Sequence, residues 1–168
     1  MPPPTTGTIA MSLDETAFRR TMSHLVTGVA VVTARVPRGR AVGMTASSVT
    51  SLSLDPPLLL VCVGRDATVH DVLLEAERFG VNVLTTEQAD LARRFADRDR
   101  QHFEEPELVM SPGGTPLIPR SLARIECRRR SQFEGGDHTI VTGTLEWSEV
   151  GQGRPLCYFG GRYVELAS

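Results

Sequence analysis

The sequence predicts a mainly β domain with a few helices, a β-barrel decorated on its outside. Three observations predict it. Short segments that alternate apolar and polar residues recur along the chain, as strands with one buried face require. Breaks centred on proline and glycine separate them, at Pro37-Arg38-Gly39, Asp55-Pro56-Pro57 and Gly160-Gly161-Arg162. Helical patterns are few and do not alternate regularly with the strands, so a parallel βαβ sheet is not indicated.

The first element is a helix. Ser12 with Glu15 three residues on forms a capping box, and Phe18, Met22 and Leu25 then share one helical face. Residues 1–11, rich in Pro and Thr, have neither a basic start nor an apolar run of signal-peptide type. They are expected to be a disordered tail, leaving 12–168 as one domain. Val26–Ala34 reads as a strand, paired as a hairpin with Ala41–Thr45. Ser47–Leu54 is polar but β-prone and stops at Asp55-Pro56-Pro57, because prolines donate nothing to a ladder. Leu58–Val63 is a continuous apolar run, expected as a buried central strand. Asp66 or Thr68 caps a short helix through Leu74, with Val69, Val72 and Leu73 inward.

Phe79, Val81 and Val83 alternate as in a strand, and Thr85 with Gln88 is a second capping box, opening a helix with Leu91, Ala92 and Phe95 inside. Asp97–Pro119 reads as a long excursion, of the kind used as lid, dimer arm or tolerated insertion. Strands return at Ala123–Cys127 and Ile140–Val150, and a glycine-turned hairpin pairs Leu156–Phe159 with Tyr163–Leu166.

Composition narrows the function. The 168 residues carry a net charge of −2 and are 40% hydrophobic, so there is no electrostatic ground for binding nucleic acid. Arg128-Arg129-Arg130 reads as a solvated strand end. Three cysteines, an odd number without C-x-x-C spacing, suit buried thiols in a reducing cytoplasm better than a disulfide framework. No apolar run approaches the length of a membrane span. Walker-type and dinucleotide-type glycine loops are absent, as is a G-x-S-x-G elbow. His24, His70, His102 and His138 are scattered without ligand spacing, so no metal is expected.

Two polar segments stand out among the strands. Thr45-Ala46-Ser47-Ser48 offers three hydroxyls beside a small residue, suited to a phosphate or the polar edge of a flat heterocycle. Taken alone, the segment reads more readily as an ordinary Ser/Thr-rich strand end. In Gly136-Asp137-His138, glycine permits close approach of a ligand, Asp137 orients a ring nitrogen or caps the turn, and His138 donates to a substrate. A solvated or structural histidine at a strand start is the alternative.

Taken together, these segments resemble the flavin reductase family, the small reductase components of two-component flavin monooxygenases. The likeness runs from about Phe18 to Tyr163. It rests on Thr27-Gly28-Val29-Ala30-Val31-Val32-Thr33, Gly43-Met44-Thr45-Ala46-Ser47-Ser48, Ser53-Leu54-Asp55-Pro56-Pro57-Leu58 and Phe79-Gly80-Val81-Asn82-Val83-Leu84, in that order. After these come Gln88 with Leu91-Ala92 and Phe95-Ala96, then Gly136-Asp137-His138, and Pro155-Leu156 with Tyr158 and Gly161-Arg162-Tyr163.

The resemblance implies a split β-barrel of the FMN-binding type and a homodimer with flavin near the subunit interface. It implies FMN or FAD as cofactor and NADH or NADPH as co-substrate, with a hydride passing from nicotinamide C4 to flavin N5. Reduced flavin would then go to a partner monooxygenase. Carried over by position, Thr45, Ala46, Ser47 and Ser48 would contact the flavin's phosphate and ring edge. Val61, Cys62 and Val63 would supply backbone near the ring, Ala67 and Thr68 would sit at the phosphate, and Asn82 and Val83 would line the isoalloxazine. His138 would face the nicotinamide as the catalytic residue, with Tyr163 by the dinucleotide or its entry path. One departure is in Gly64-Arg65-Asp66-Ala67-Thr68, where the family often carries serines in place of Asp66 and Ala67. The alternative function on the same barrel is a flavin-binding module without reductase activity.

Overall fold

The computed structural model describes residues 14–35, 38–103 and 108–166. Helix α1 (Glu15–Met22) is followed by β1 (Thr27–Gly28), β2 (Ala30–Ala34), β3 (Val42–Ala46), β4 (Val49–Leu54) and β5 (Pro57–Gly64). Then come α2 (Val69–Glu75), β6 (Arg78–Val83), α3 (Ala89–Ala96), β7 (Val109–Met110) and β8 (Pro116–Leu117). The chain closes with β9 (Ala123–Gly135), β10 (His138–Val150), β11 (Leu156–Phe159) and β12 (Arg162–Glu165).

Seven strands form one antiparallel sheet in the order β3-β2-β6-β9-β10-β5-β4. Its two edges, β3 and β4, are consecutive in the chain and joined by only Ser47 and Ser48. The sheet therefore curls until its edges meet, yet β3 and β4 are not hydrogen-bonded to each other. A barrel with a seam results. Strands β1, β11 and β12 form a small second sheet, and β7 pairs with β8.

The barrel interior is filled by Val32, Val42, Leu59, Val61, Val63, Phe79, Val81, Cys127 and Val141, and α2 adds Val69 and Leu73 to it. A second apolar layer packs α3 onto the outside of β2 through Val29, Val31, Ala92, Phe95, Phe103 and Leu156. Strand β6 lies between interior and outer layer, which is why Phe79–Asn82 are all buried instead of alternating. At Gly80 a Cβ would sit 2.9 Å from the Pro116 carbonyl, so glycine is what lets β8 lie against this strand.

Most expected elements are present, with local corrections. Val26–Ala34 is split at Val29, whose N–H donates to the Leu156 carbonyl in the second sheet. Strand β5 is paired on both sides, but its burial alternates, with Leu59, Val61 and Val63 inward and Cys62 half-buried. The cap of α1 is Asp14, whose carboxylate accepts from the Ala17 N–H at 2.6 Å; Ser12 and the tail 1–11 lie outside the described residues. The helix ends at Met22, capped at Ser23, so Leu25 falls beyond it; Phe18, Met22 and Leu25 are exposed and not covered by the rest of the described chain.

The Thr85–Gln88 capping box is present, opening α3 through a 3₁₀ turn at Thr86–Gln88. The excursion is packed down over much of its length. Phe103 stacks on Phe95 with ring centroids 4.2 Å apart, and buried Gln101 accepts from Thr68 N–H through Oε1 at 2.9 Å. The arginine run is a strand surface: Arg128 pairs with Glu146 at 2.5 Å and with Glu77, while Arg129 donates to the Ala76 carbonyl. Gly160 and Gly161 turn the last hairpin at φ 61° and 78°, as a two-residue type I′ turn demands.

Candidate functional site

The seam opens into a groove of about 380 Å³. Three pieces of chain converge on it: the β3–β4 link, the turn after β5, and the tip of the β9–β10 hairpin. Thr45, Ala46, Ser47, Ser48, Cys62, Ala67 and His138 all line it.

The β3–β4 link is held from both sides. Thr45 Oγ1 donates to the Ala92 carbonyl at 2.7 Å, tying the end of β3 to α3. Ser48 Oγ donates to the Cys62 carbonyl at 3.0 Å, and the Cys62 N–H returns to the Ser48 carbonyl at 3.3 Å. Two of the three hydroxyls therefore spend their protons on the fold. Ser47 is exposed and its hydroxyl has no protein partner among the described residues. Alanines 46 and 67 and Gly64 keep the floor low.

The turn Gly64–Ala67 is closed by Ala67 N–H to the Gly64 carbonyl at 3.1 Å. It carries Asp66, whose Oδ2 lies 2.6 Å from Arg98 Nη2 on the 3₁₀ turn after α3. The hairpin tip is the two-residue loop Gly136-Asp137, with Gly136 at φ 73°. It is pinned to the neighbouring turn by the Arg65 N–H, which donates to the Asp137 carbonyl at 3.0 Å. His138 pairs with Gly64 in the β10–β5 ladder, so the imidazole is delivered into the groove by sheet register.

His138 Nδ1 lies 2.8 Å from Asp137 Oδ1. An ionised carboxylate only accepts, so the contact fits an Nδ1–H donor and leaves Nε2 free to face a ligand. The His138 hydrogen bond and then its charge hold the Asp137 carboxyl below its ordinary pKa, with a smaller contribution from the charge of Arg19. A Cβ built on Gly64 would stand 3.7 Å from His138 Nε2 and 3.1 Å from Asp66 Oδ1. Imidazole and carboxylate thus both look onto the same small space.

Next to the groove a second hollow of about 650 Å³ shares Arg19, Ser47 and Ser48 with it. Phe18, Met22, Leu25 and Tyr158 make it apolar. Low floor, free hydroxyl, cations at the rim and an apolar continuation fit an elongated, flat ligand with an anionic end. A flavin is a ligand of that shape with that anionic end.

Not every expected residue reaches the groove. Val61 and Val63 are fully buried in the core and outside the lining, with Cys62 between them the one that lines it. Thr68 has both donors engaged, its N–H by Gln101 and its hydroxyl by the Arg98 carbonyl at 3.4 Å, and it is outside the lining. It is the N-cap residue of α2 but makes no side-chain cap bond. Asn82 is fully buried: Nδ2 donates to the Val31 carbonyl at 3.0 Å, and Oδ1 accepts from the Ile118 N–H at 2.8 Å. Both ends of its amide are therefore used within the fold, and it is outside the lining. Val83 sits in the ladder between Ala30 and Ala123, also outside the lining. Tyr163 packs edge-on against Tyr158, 5.6 Å between centroids, beneath the Arg93 guanidinium. Burial, foremost, raises its pKa.

Arg19, Arg98 and Gln101 line the groove without having been expected there. Each comes from a segment distant in sequence, and no local pattern announces them. Among the described residues no cluster of His, Cys, Asp or Glu is placed to hold a metal ion, and no helix is long and apolar enough to cross a membrane.

A family model described as flavin reductase like domain matches residues 22–167. An NADH-linked FMN reductase of Agrobacterium fabrum is 40% identical over 147 residues, spanning 88% of this chain and 83% of its own. The reductase subunit of a flavin-dependent monooxygenase from Rhodococcus jostii is 35% identical over 158 residues, spanning 94% of this chain and 80% of its own. A solved NADH:FAD oxidoreductase from Streptomyces globisporus, in complex with NAD and FAD fragments, superposes with a TM-score of 0.85. It is 38% identical, over 92% of this chain and 93% of that one.

Proposed function

The chain belongs to the flavin reductase-like domain family, and on that premise we propose that it is an NADH-dependent flavin reductase whose reduced flavin serves a partner monooxygenase. The observation that carries the reading is the convergence at the barrel seam of the Ser47 hydroxyl, the small-residue floor and the Asp137–His138 pair. Relatives named for FMN and for FAD are similarly close to this chain, and those named for a nicotinamide are NADH enzymes.

Bound flavin supplies the hydride acceptor, its N5, for the C4 hydride of the nicotinamide. The protein's own work is positional. Ser47 and the cations at the rim take the anionic end, and Ala46, Gly64 and Ala67 leave room for a flat ring beside the backbone of Val61–Val63. His138, held by Asp137, would present Nε2 to the nicotinamide. Misplacement of such a group by an ångström costs rate through geometry alone, about 100-fold. No paired carboxylates are needed, because the hydride step transfers no proton to the protein.

The working unit is a homodimer, in the cytoplasm. The exposed apolar residues on and just after α1, Phe18, Met22 and Leu25, support the first statement: a second copy seated on them would cover them and wall off the hollow that they line. The unpaired thiols Cys62, Cys127 and Cys157 support the second.

The test is oxidation of NADH by the purified protein with added FMN or FAD, followed at the nicotinamide absorbance. Flavin-dependent oxidation, faster with NADH than NADPH, is the expected result. Flavin binding without nicotinamide oxidation would overturn the reductase in favour of a binding module.

A further inference from the structure

The Asp66–Arg98 pair lies at the rim where the anionic end of a ligand would rest, and its two members have opposite effects on a phosphate. Arg98 Nη2 is 2.6 Å from Asp66 Oδ2, and both side chains line the groove. The other donors that this corner offers by sequence are already used. Ala67 N–H closes the turn, Thr68 N–H is taken by Gln101, Ser48 donates to Cys62, and Thr45 donates to Ala92. Of the side-chain donors left, Ser47 has no protein partner among the described residues, Arg19 is paired with Glu15 on its own helix, and Arg98 is held by Asp66. The pair is well exposed, 66% and 63%, so holding it together stabilises the fold little and its geometry is free to change.

We propose that Asp66 sets how loosely the flavin is held, by competing with the flavin phosphate for Arg98 and by repelling it directly. The inference rests on the flavin reading above and deepens it by naming the residue that tunes affinity for the flavin's phosphate. A phosphate monoester carries close to two negative charges at neutral pH. It therefore feels both the loss of Arg98 and the nearby carboxylate, whereas the uncharged ribityl end of riboflavin feels neither.

The test is a comparison of FMN and riboflavin binding, by quenching of flavin fluorescence, in the unaltered chain, Asp66→Asn and Arg98→Gln. Asp66→Asn is expected to tighten FMN binding by about five- to tenfold at low salt, with the gain shrinking as salt is raised. Arg98→Gln is expected to weaken FMN by a similar factor. Riboflavin should change by less than about twofold in either variant. Equal changes for FMN and riboflavin, or no tightening of FMN in Asp66→Asn, overturn the proposal while leaving the flavin site intact. Failure of the unaltered chain to bind either flavin overturns the site reading and this inference with it.

Discussion

His138 Nδ1 and Asp137 Oδ1 are 2.8 Å apart at the tip of the β9–β10 hairpin, the last residue of its two-residue turn against the first of the strand that follows. The turn needs Gly136 at φ 73°, and the Arg65 N–H fixes its far side, so the imidazole is aimed by backbone as much as by its carboxylate partner.

Replacing His138 by Ala should lower kcat for flavin-dependent NADH oxidation by about 10- to 100-fold. Asp137→Asn should cost less, about threefold to tenfold, since backbone restraints on the ring survive. Flavin binding should be unchanged in both. Stopped-flow reduction with separately measured flavin Kd checks this, and a matching loss of flavin affinity would contradict the assignment of His138 to the nicotinamide side.

The same pair predicts a pH dependence. The Asp137 carboxyl is held below its ordinary value, so its contribution is complete above that value and is lost as pH falls through the lower, folded one. The imidazole resonances of His138 should therefore report an intact contact as pH descends through the usual carboxylate range, with disruption only beneath it. Disruption within that range would show that the pair does not form in solution.

Asn82→Ala should leave the Val31 carbonyl and the Ile118 N–H without their buried partner. A loss of about 2–4 kcal/mol in urea unfolding is expected, with flavin affinity per folded molecule unaltered. Weakened flavin binding at unchanged stability would instead restore Asn82 to the site.

Thiol labelling should order the cysteines. Burial, followed by the charges of Glu126 and Glu146, pushes the Cys127 thiol up to about 12, so it should label only on unfolding. Half-buried Cys62 lines the groove and should label first, more slowly when FMN is present. Mass spectrometry after a short maleimide pulse reads both effects; indifference of Cys62 to FMN would argue against flavin in this groove.

Met22→Glu places a charge in the uncovered face of α1. Light scattering coupled to gel filtration should show the dimer mass falling to that of one chain. A single-chain mass for the unaltered protein would remove the dimer from the proposal.

What the sequence disclosed and what it hid divide along the range of the interactions. The Thr85–Gln88 capping box and the Gly160-Gly161 turn are decided within a few residues and are found, as is the stop after Leu54, although Pro57 already belongs to β5 and only Asp55-Pro56 makes the turn. The β segments and much of the groove, from Thr45 to Ser48 and at His138, come with the strand pattern and the ordered motifs. Asn82 looks like a ligand-facing polar residue in an apolar strand until Ile118, 36 positions later, arrives to use its oxygen. Arg98 and Asp66 meet only because α3 returns across the seam, and no spacing encodes that. Burial of Gln101 and Phe103 inside an apparently loose, polar stretch is likewise a product of tertiary contact.

Because the two sheet edges are chain neighbours, the barrel shuts without any long loop having to be ordered at the last step. The β2–β3, β4–β5 and β9–β10 hairpins are local in sequence, whereas the β5–β10 pairing that brings His138 beside Gly64 joins distant segments and closes later. The ligand groove would then be the final part of the molecule to assemble and the first to come apart. Amide hydrogens around Ser47 should exchange ahead of those in β6 and β9, and a ligand spanning the seam would slow them most.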